Sequence, residues 1–122
     1  MSPYLYNKLV TKYPSQFSEA GKSPSENNMA FGIECGDGWY AIVAEVCRAV
    51  DDSEDKVVWT QIKEKFGGLR MYYFGGSDFV EGVVRMAEHM SYRTCERCGH
   101  PGTPNEGGWI MTLCERCRGP NG

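Results

Sequence analysis

Four of the six cysteines in this 122-residue chain fall into two copies of one pattern, Cys95-Glu96-Arg97-Cys98 and Cys114-Glu115-Arg116-Cys117. Two sulfurs at i and i+3 can turn toward the same ion, and two such turns supply the four thiolates of a tetrahedral site. A site closed in this way staples a fold and leaves no position for substrate. Soft sulfur ligands favour zinc, so one structural Zn²⁺ is the expected cofactor. Iron would use the same ligands, although nothing in the chain points to electron transfer. Buried or redox-paired thiols are the remaining alternative, and the duplicated spacing argues against them. His100 follows Cys98 by two residues and could replace a cysteine in principle; with four thiolates present it reads as a residue beside the cluster.

The other reactive side chains make a weaker pattern. Cys47 falls on the apolar face of an expected helix and reads as a small core residue. Cys35 lies in Glu34-Cys35-Gly36-Asp37-Gly38-Trp39, a glycine-flanked turn before a helix start, where a helix dipole could lower a thiol pKa. Spacing assigns neither histidine to it as a base, so packing is the favoured role. Glu34, Asp37 and Glu45 are the carboxylates an enzyme reading would use. Carboxylates around a helix start are more often caps and surface charges, and the chain reads as non-catalytic.

The elements that must position these residues give an α+β chain. A small helical body with a β-hairpin spans residues 1–92, and a four-cysteine zinc ribbon spans 93–119, packed with the body as one unit. Pro3 opens a helix whose stripe of Leu5, Leu9, Val10 and Tyr13 ends at Pro14. Ser15 to Asn28 is rich in Ser, Pro, Gly and Asn and reads as a mobile surface loop. Asp37 offers an N-cap for a helix from about Trp39 to Val50. Asp78 and Glu81 have capping-box spacing for another from about Phe79 to Tyr92, with Phe79, Val83, Met86 and Met90 on its buried side. Between the cysteine pairs, a turn-rich stretch leads into Trp109-Ile110-Met111-Thr112-Leu113, which reads as a strand returning to the second pair.

Val57 to Phe66, Gly67-Gly68, then Leu69 to Phe74 is the clearest β signal. Two glycines between β-rich runs predict a tight hairpin with Phe66 opposite Leu69, Glu64 opposite Met71 and Ile62 opposite Tyr73. That register turns Ile62, Phe66, Leu69 and Met71 inward. It leaves Trp59, Lys63, Lys65, Arg70, Tyr72 and Phe74 on an aromatic-basic face, the candidate partner-binding residues. Lys65 would stand opposite Arg70, unless Arg70 is internal and paired with Glu34 or Asp37.

Composition limits the partners. The net charge of −3 lacks the basic excess of a protein that coats nucleic acid. Residues 91–122 hold four arginines and three glutamates, and four thiolates with one Zn²⁺ would leave the ribbon near −1. No apolar run approaches the roughly 20 residues of a membrane span, and the N-terminus does not resemble an export signal, so the cytoplasm is the expected compartment.

The stretch Gln61-Ile62-Lys63-Glu64-Lys65-Phe66-Gly67-Gly68-Leu69-Arg70, with Glu34-Cys35-Gly36-Asp37-Gly38-Trp39 before it and the cysteine pairs after it, resembles a group of small, largely uncharacterised phage and prophage proteins. The likeness covers roughly residues 31 to 118. It implies a phage-encoded chain in the host cytoplasm and brings no activity with it. The closed metal site, the lack of a catalytic constellation and the aromatic-basic hairpin face give the first reading, a binding module whose ribbon fixes a rigid surface for a host protein. Small phage proteins of this kind include inhibitors of host defence, among them zinc-binding anti-CRISPR proteins that dock on an effector nuclease. The second reading is a nucleic-acid-binding ribbon in which Lys63, Lys65 and Arg70 meet phosphates while Trp59, Tyr72 or Phe74 stack on bases.

Overall fold

The computed structural model describes residues 1–119, and they form an α+β fold. Helix α1 (Pro3–Lys12) starts where expected: Ser2 is the N-cap, its hydroxyl accepting the Leu5 N–H, and proline fills the first turn. A short strand β1 (Ile33–Glu34) leads through a 3₁₀ turn (Asp37–Trp39) into α2 (Tyr40–Ser53). Then come β2 (Val57–Lys65), β3 (Gly68–Gly75) and α3 (Asp78–Ser91). The C-terminal part holds β4 (Thr103–Pro104), β5 (Thr112–Leu113) and the single turn α4 (Glu115–Arg118). β1 pairs parallel with β2, which pairs antiparallel with β3, so β2 is the central strand.

The hairpin is displaced by one residue from the glycine-centred turn. Lys65 pairs with Gly68, Lys63 with Arg70 and Ile62 with Met71, so the two loop residues are Phe66 and Gly67, both at positive φ (54° and 83°). Two positive φ values suit the right-handed twist of a hairpin, and glycine usually supplies them. Gly68 is needed elsewhere: a Cβ there would come within 2.4 Å of the Tyr92 hydroxyl. Phe66 therefore takes the left-handed position and is 67% exposed, against its expected place in the core. Lys65 does not face Arg70. A bulge between Trp59 and Gln61 also breaks the alternation of β2. Slipping one residue swaps the faces of a strand, so Trp59 turns inward and is fully buried.

Gln16 explains how that ring is accommodated. Its amide oxygen accepts the Trp59 indole N–H (2.9 Å), its Nε2 donates to the Cys47 carbonyl (3.0 Å), and its backbone carbonyl accepts the Trp59 N–H (2.9 Å). Gln16 and Phe17 are buried, so the segment after α1 begins as a core plug and becomes surface loop only further on.

Helix α3 buries a different stripe from the one expected. Val80, Ala87 and Ser91 face inward, while Phe79, Met86 and Met90 are half or more exposed. The two stripes lie one residue apart, about 100° around the helix. The small one wins because α3 approaches the edge of β3 closely enough for Ser91 Oγ to accept the Leu69 N–H at 2.9 Å. Larger residues at 87 and 91 would hold the helix off the strand. Its N-cap is Ser77, not Asp78, and α2 likewise begins at Tyr40 with Asp37 engaged elsewhere.

Candidate metal centre

The two CxxC turns come together. The sulfurs of Cys95, Cys98, Cys114 and Cys117 all lie within 4.8 Å of one another, and Cys98 Sγ is 3.6 Å from Cys114 Sγ. Ligands at about 2.3 Å around a tetrahedral Zn²⁺ stand about 3.8 Å apart, so the donor set fits one such ion with modest closing. Local folding arranges this. The Cys114 sulfur caps α4 by accepting the Cys117 N–H (3.4 Å), and the Cys95 N–H donates to the His100 carbonyl (2.7 Å) to close the first turn. Burial pushes the Cys95 thiol up, but the N–H groups of Cys114, Cys98 and Arg97 outweigh it and hold it at about 6. The Cys117 N–H likewise lowers Cys114. Cys117 is pushed up to about 12, first by its hydrogen bonds to Cys114 and Cys98. Four sulfurs this close cannot all be thiolates unless a cation offsets their repulsion. His100 stands beside the cluster, Nδ1 3.3 Å from Cys98 Sγ.

The Gly36-Asp37-Gly38-Trp39 turn grips this centre. The Gly38 N–H donates to the Glu96 carbonyl (2.7 Å), the Gly36 N–H to Glu96 Oε2 (2.9 Å) and the Trp39 indole to the Thr94 carbonyl (2.8 Å). Both glycines are obligatory here: a Cβ on Gly36 would come within 2.4 Å of the Glu96 carbonyl oxygen, and one on Gly38 within 2.2 Å of that of Cys95. Sequence reasoning reads this turn as a helix start and misses its purpose. The glycine pattern signals a close approach, but only the fold says to what. On the other side, Thr112 Oγ1 donates to the Gly67 carbonyl (2.6 Å), tying the hairpin loop to β5.

The residues considered for chemistry are engaged separately. Asp37 Oδ1 accepts the Ser2 N–H (2.7 Å), Glu45 pairs with Arg48, and Glu34 lies opposite Lys63 in the sheet. Burial pushes the thiols of both Cys35 and Cys47 up to about 12, the reverse of nucleophile activation. Of the proposed binding face, Lys65, Tyr72 and Phe74 are exposed and Lys63 is partly so, whereas Trp59 must be withdrawn because it is in the core. Arg70 is internal in part, but its partner is Glu88 (3.6 Å), not Glu34 or Asp37.

A larger exposed feature lies between α2 and α3. Phe79, Val83, Met86 and Met90 of α3 and Val46 and Ala49 of α2 line an apolar groove of about 680 Å³. Among the described residues, no helix is long and apolar enough to cross a membrane. Comparison with family models, curated proteins and solved structures gave no match to this chain.

Proposed function

We propose that the chain is a non-catalytic, zinc-stapled binding module that seats a basic amphipathic helix of a partner protein in the groove between α2 and α3. The observation that carries this reading is the groove itself: Phe79, Met86 and Met90 are 50%, 61% and 50% exposed on one face. Large clustered apolar side chains at a surface mark interaction sites, and unbranched methionines adapt to the partner they meet. Charge selects the occupant. The groove lining carries two carboxylates, Glu45 of α2 and Asp78 of α3, and no lysine or arginine. A helix with an apolar face and Lys/Arg flanks complements such a groove. Zinc is the ion we assign to the four thiolates, on ligand softness. With the resemblance of its KFGGLR hairpin to small phage proteins, the specific form of this reading is a phage-encoded inhibitor that docks on a host defence protein such as a CRISPR effector nuclease.

The test is a titration of a fluorescent Leu/Lys amphipathic peptide against its Leu/Glu counterpart, with Met86→Glu and Met90→Glu variants as controls. The basic peptide should bind and the acidic one should not, and each variant should weaken binding by about tenfold or more without lowering the melting point. Equal binding of both peptides would overturn the proposal. So would a homodimer in light scattering that Met86→Glu dissociates, or a salt-dependent shift of a labelled oligonucleotide with no peptide binding.

A further inference from the structure

A second site lies where the hairpin tip meets the ribbon. Phe66 and Trp109 are 67% and 81% exposed, yet both sit on tightly held backbone. Phe66 occupies a left-handed position, and Gly67 beside it is packed so that a Cβ would come within 2.9 Å of Ile110 Cγ2. Trp109 follows two glycines at positive φ, in a loop tied by one side chain. Asn105 Nδ2 donates to the carbonyls of Gly107 (3.1 Å) and Trp109 (2.9 Å), and its Oδ1 accepts the Met111 N–H (2.6 Å). The two rings, Gly108, Ile110 and Glu64 enclose a slot of about 230 Å³. Glu64 Oε2 accepts the Gly67 N–H (2.8 Å), and among the described residues Glu64 forms no ion pair. A slot with two aromatic walls and an unpaired carboxylate is built for a cation.

We infer that this slot receives an arginine side chain of the partner protein. A guanidinium is planar, stacks on aromatic faces, sheds water more easily than an ammonium, and presents a fork of donors to a carboxylate. Phe66 already attracts a cation of its own chain: Lys65 Nζ lies 5.8 Å from the ring centroid. Lys65 does not line the slot, and it opposes an incoming cation both by repulsion and by competing for the Phe66 ring. A nucleobase stacked between the same rings would instead gain from Lys65, because its phosphates would meet the ammonium. The two ligand classes therefore respond to Lys65 with opposite sign.

This inference rests on the partner being a protein but not on the groove, and the two are separable by experiment. Trp39 and Trp59 are fully buried and Trp109 is exposed, so acrylamide-accessible tryptophan emission reports on the slot. Nα-acetyl-arginine amide, at concentrations on the order of millimolar, should protect Trp109 from quenching, and the neutral citrulline analogue should not. Glu64→Gln, which keeps the acceptor for Gly67, should weaken arginine binding about fivefold or more, while Lys65→Gln should tighten it. Trp109→Leu, followed by NMR shifts of the Gly67 and Gly108 amides, is a second arm that does not touch the hairpin turn. Met86→Glu should leave every slot measurement unchanged. Equal protection by the citrulline analogue, an unaltered response in folded Glu64→Gln, or unaltered amide shifts in Trp109→Leu would each overturn the inference. So would protection by oligo(dT) that Lys65→Gln weakens. Loss of helix-peptide binding in Met86→Glu bears on the groove alone.

Discussion

Phe66→Asn places the preferred residue pair, Asn-Gly, in the hairpin loop and tests the observed register directly. Holding a residue other than glycine in the left-handed region costs roughly 1–2 kcal/mol, a cost that asparagine largely avoids. Against that gain, a ring 67% exposed forfeits about a third of a fully buried phenylalanine, roughly 0.5–1 kcal/mol. The Lys65 contact to the ring, on an exposed pair, is worth about 0.5–1 kcal/mol more. The terms nearly cancel, so the variant should lie within about 1 kcal/mol of the parent. In the glycine-centred register the same ring would be a core residue, and its truncation would cost about 3–5 kcal/mol. Urea denaturation of the metal-loaded protein separates the two, since slopes of about 1–3 kcal/mol per molar turn the larger loss into a midpoint shift of a molar or more. A loss above about 2 kcal/mol with an unchanged slope would refute the placement of Phe66 and with it the slot.

Native mass spectrometry should find one tightly held zinc per chain; Cys95→Ser and Cys114→Ser should each loosen the ribbon, and Cys47→Ala should leave the stoichiometry unchanged. Gly38→Ala drives a methyl to within 2.2 Å of the Cys95 carbonyl oxygen, so it should cost about 1–3 kcal/mol or more and speed zinc loss to a chelator, checked by melting and by a colorimetric zinc dye. Cys35 and Cys47 are raised from an ordinary 9.0 to about 12, so both are neutral when folded. Their contribution to stability is complete below about pH 9 and is lost as pH rises toward 12; at pH 8 neither should react with iodoacetamide until denaturant unfolds the chain.

The metal cluster is legible in the sequence because CxxC spacing is a local code: each turn is made by four consecutive residues, and the fold has only to bring two turns together. The element order is legible for the same reason, from Pro3, the β-rich runs and the turn glycines. What fails depends on neighbours distant in sequence. Gly68 reads as a turn residue until Tyr92 is seen pressing on it. Trp59 reads as outward until the bulge is known, and Gln16 reads as loop until it proves to hold both the backbone and the indole of Trp59. In α3 the larger side chains read as the core stripe. Close approach to β3 selects the smaller ones, and the misreading itself exposes the groove.

The metal centre and the proposed arginine slot are mechanically linked. Trp109 stands on the ribbon and Phe66 on the hairpin, and their relative placement depends on the Thr112 bond to the Gly67 carbonyl and the packing of Ile110 on Gly67. Thr112 immediately precedes Leu113 and the ligand Cys114, and the partners of β5 lie in β4, which follows the first cysteine pair. If the four thiolates let go, strand β5 loses one of its two anchors while the sheet, α1, α2 and α3 keep a core to which the ribbon adds little: Cys95, Thr112 and Leu113 are its only fully enclosed side chains among the described residues. The groove between α2 and α3 is built from that core and should outlast the metal. An ion held by the four thiolates would thus keep the proposed slot in place and leave the proposed groove site unaffected, because only the first spans the junction between hairpin and ribbon.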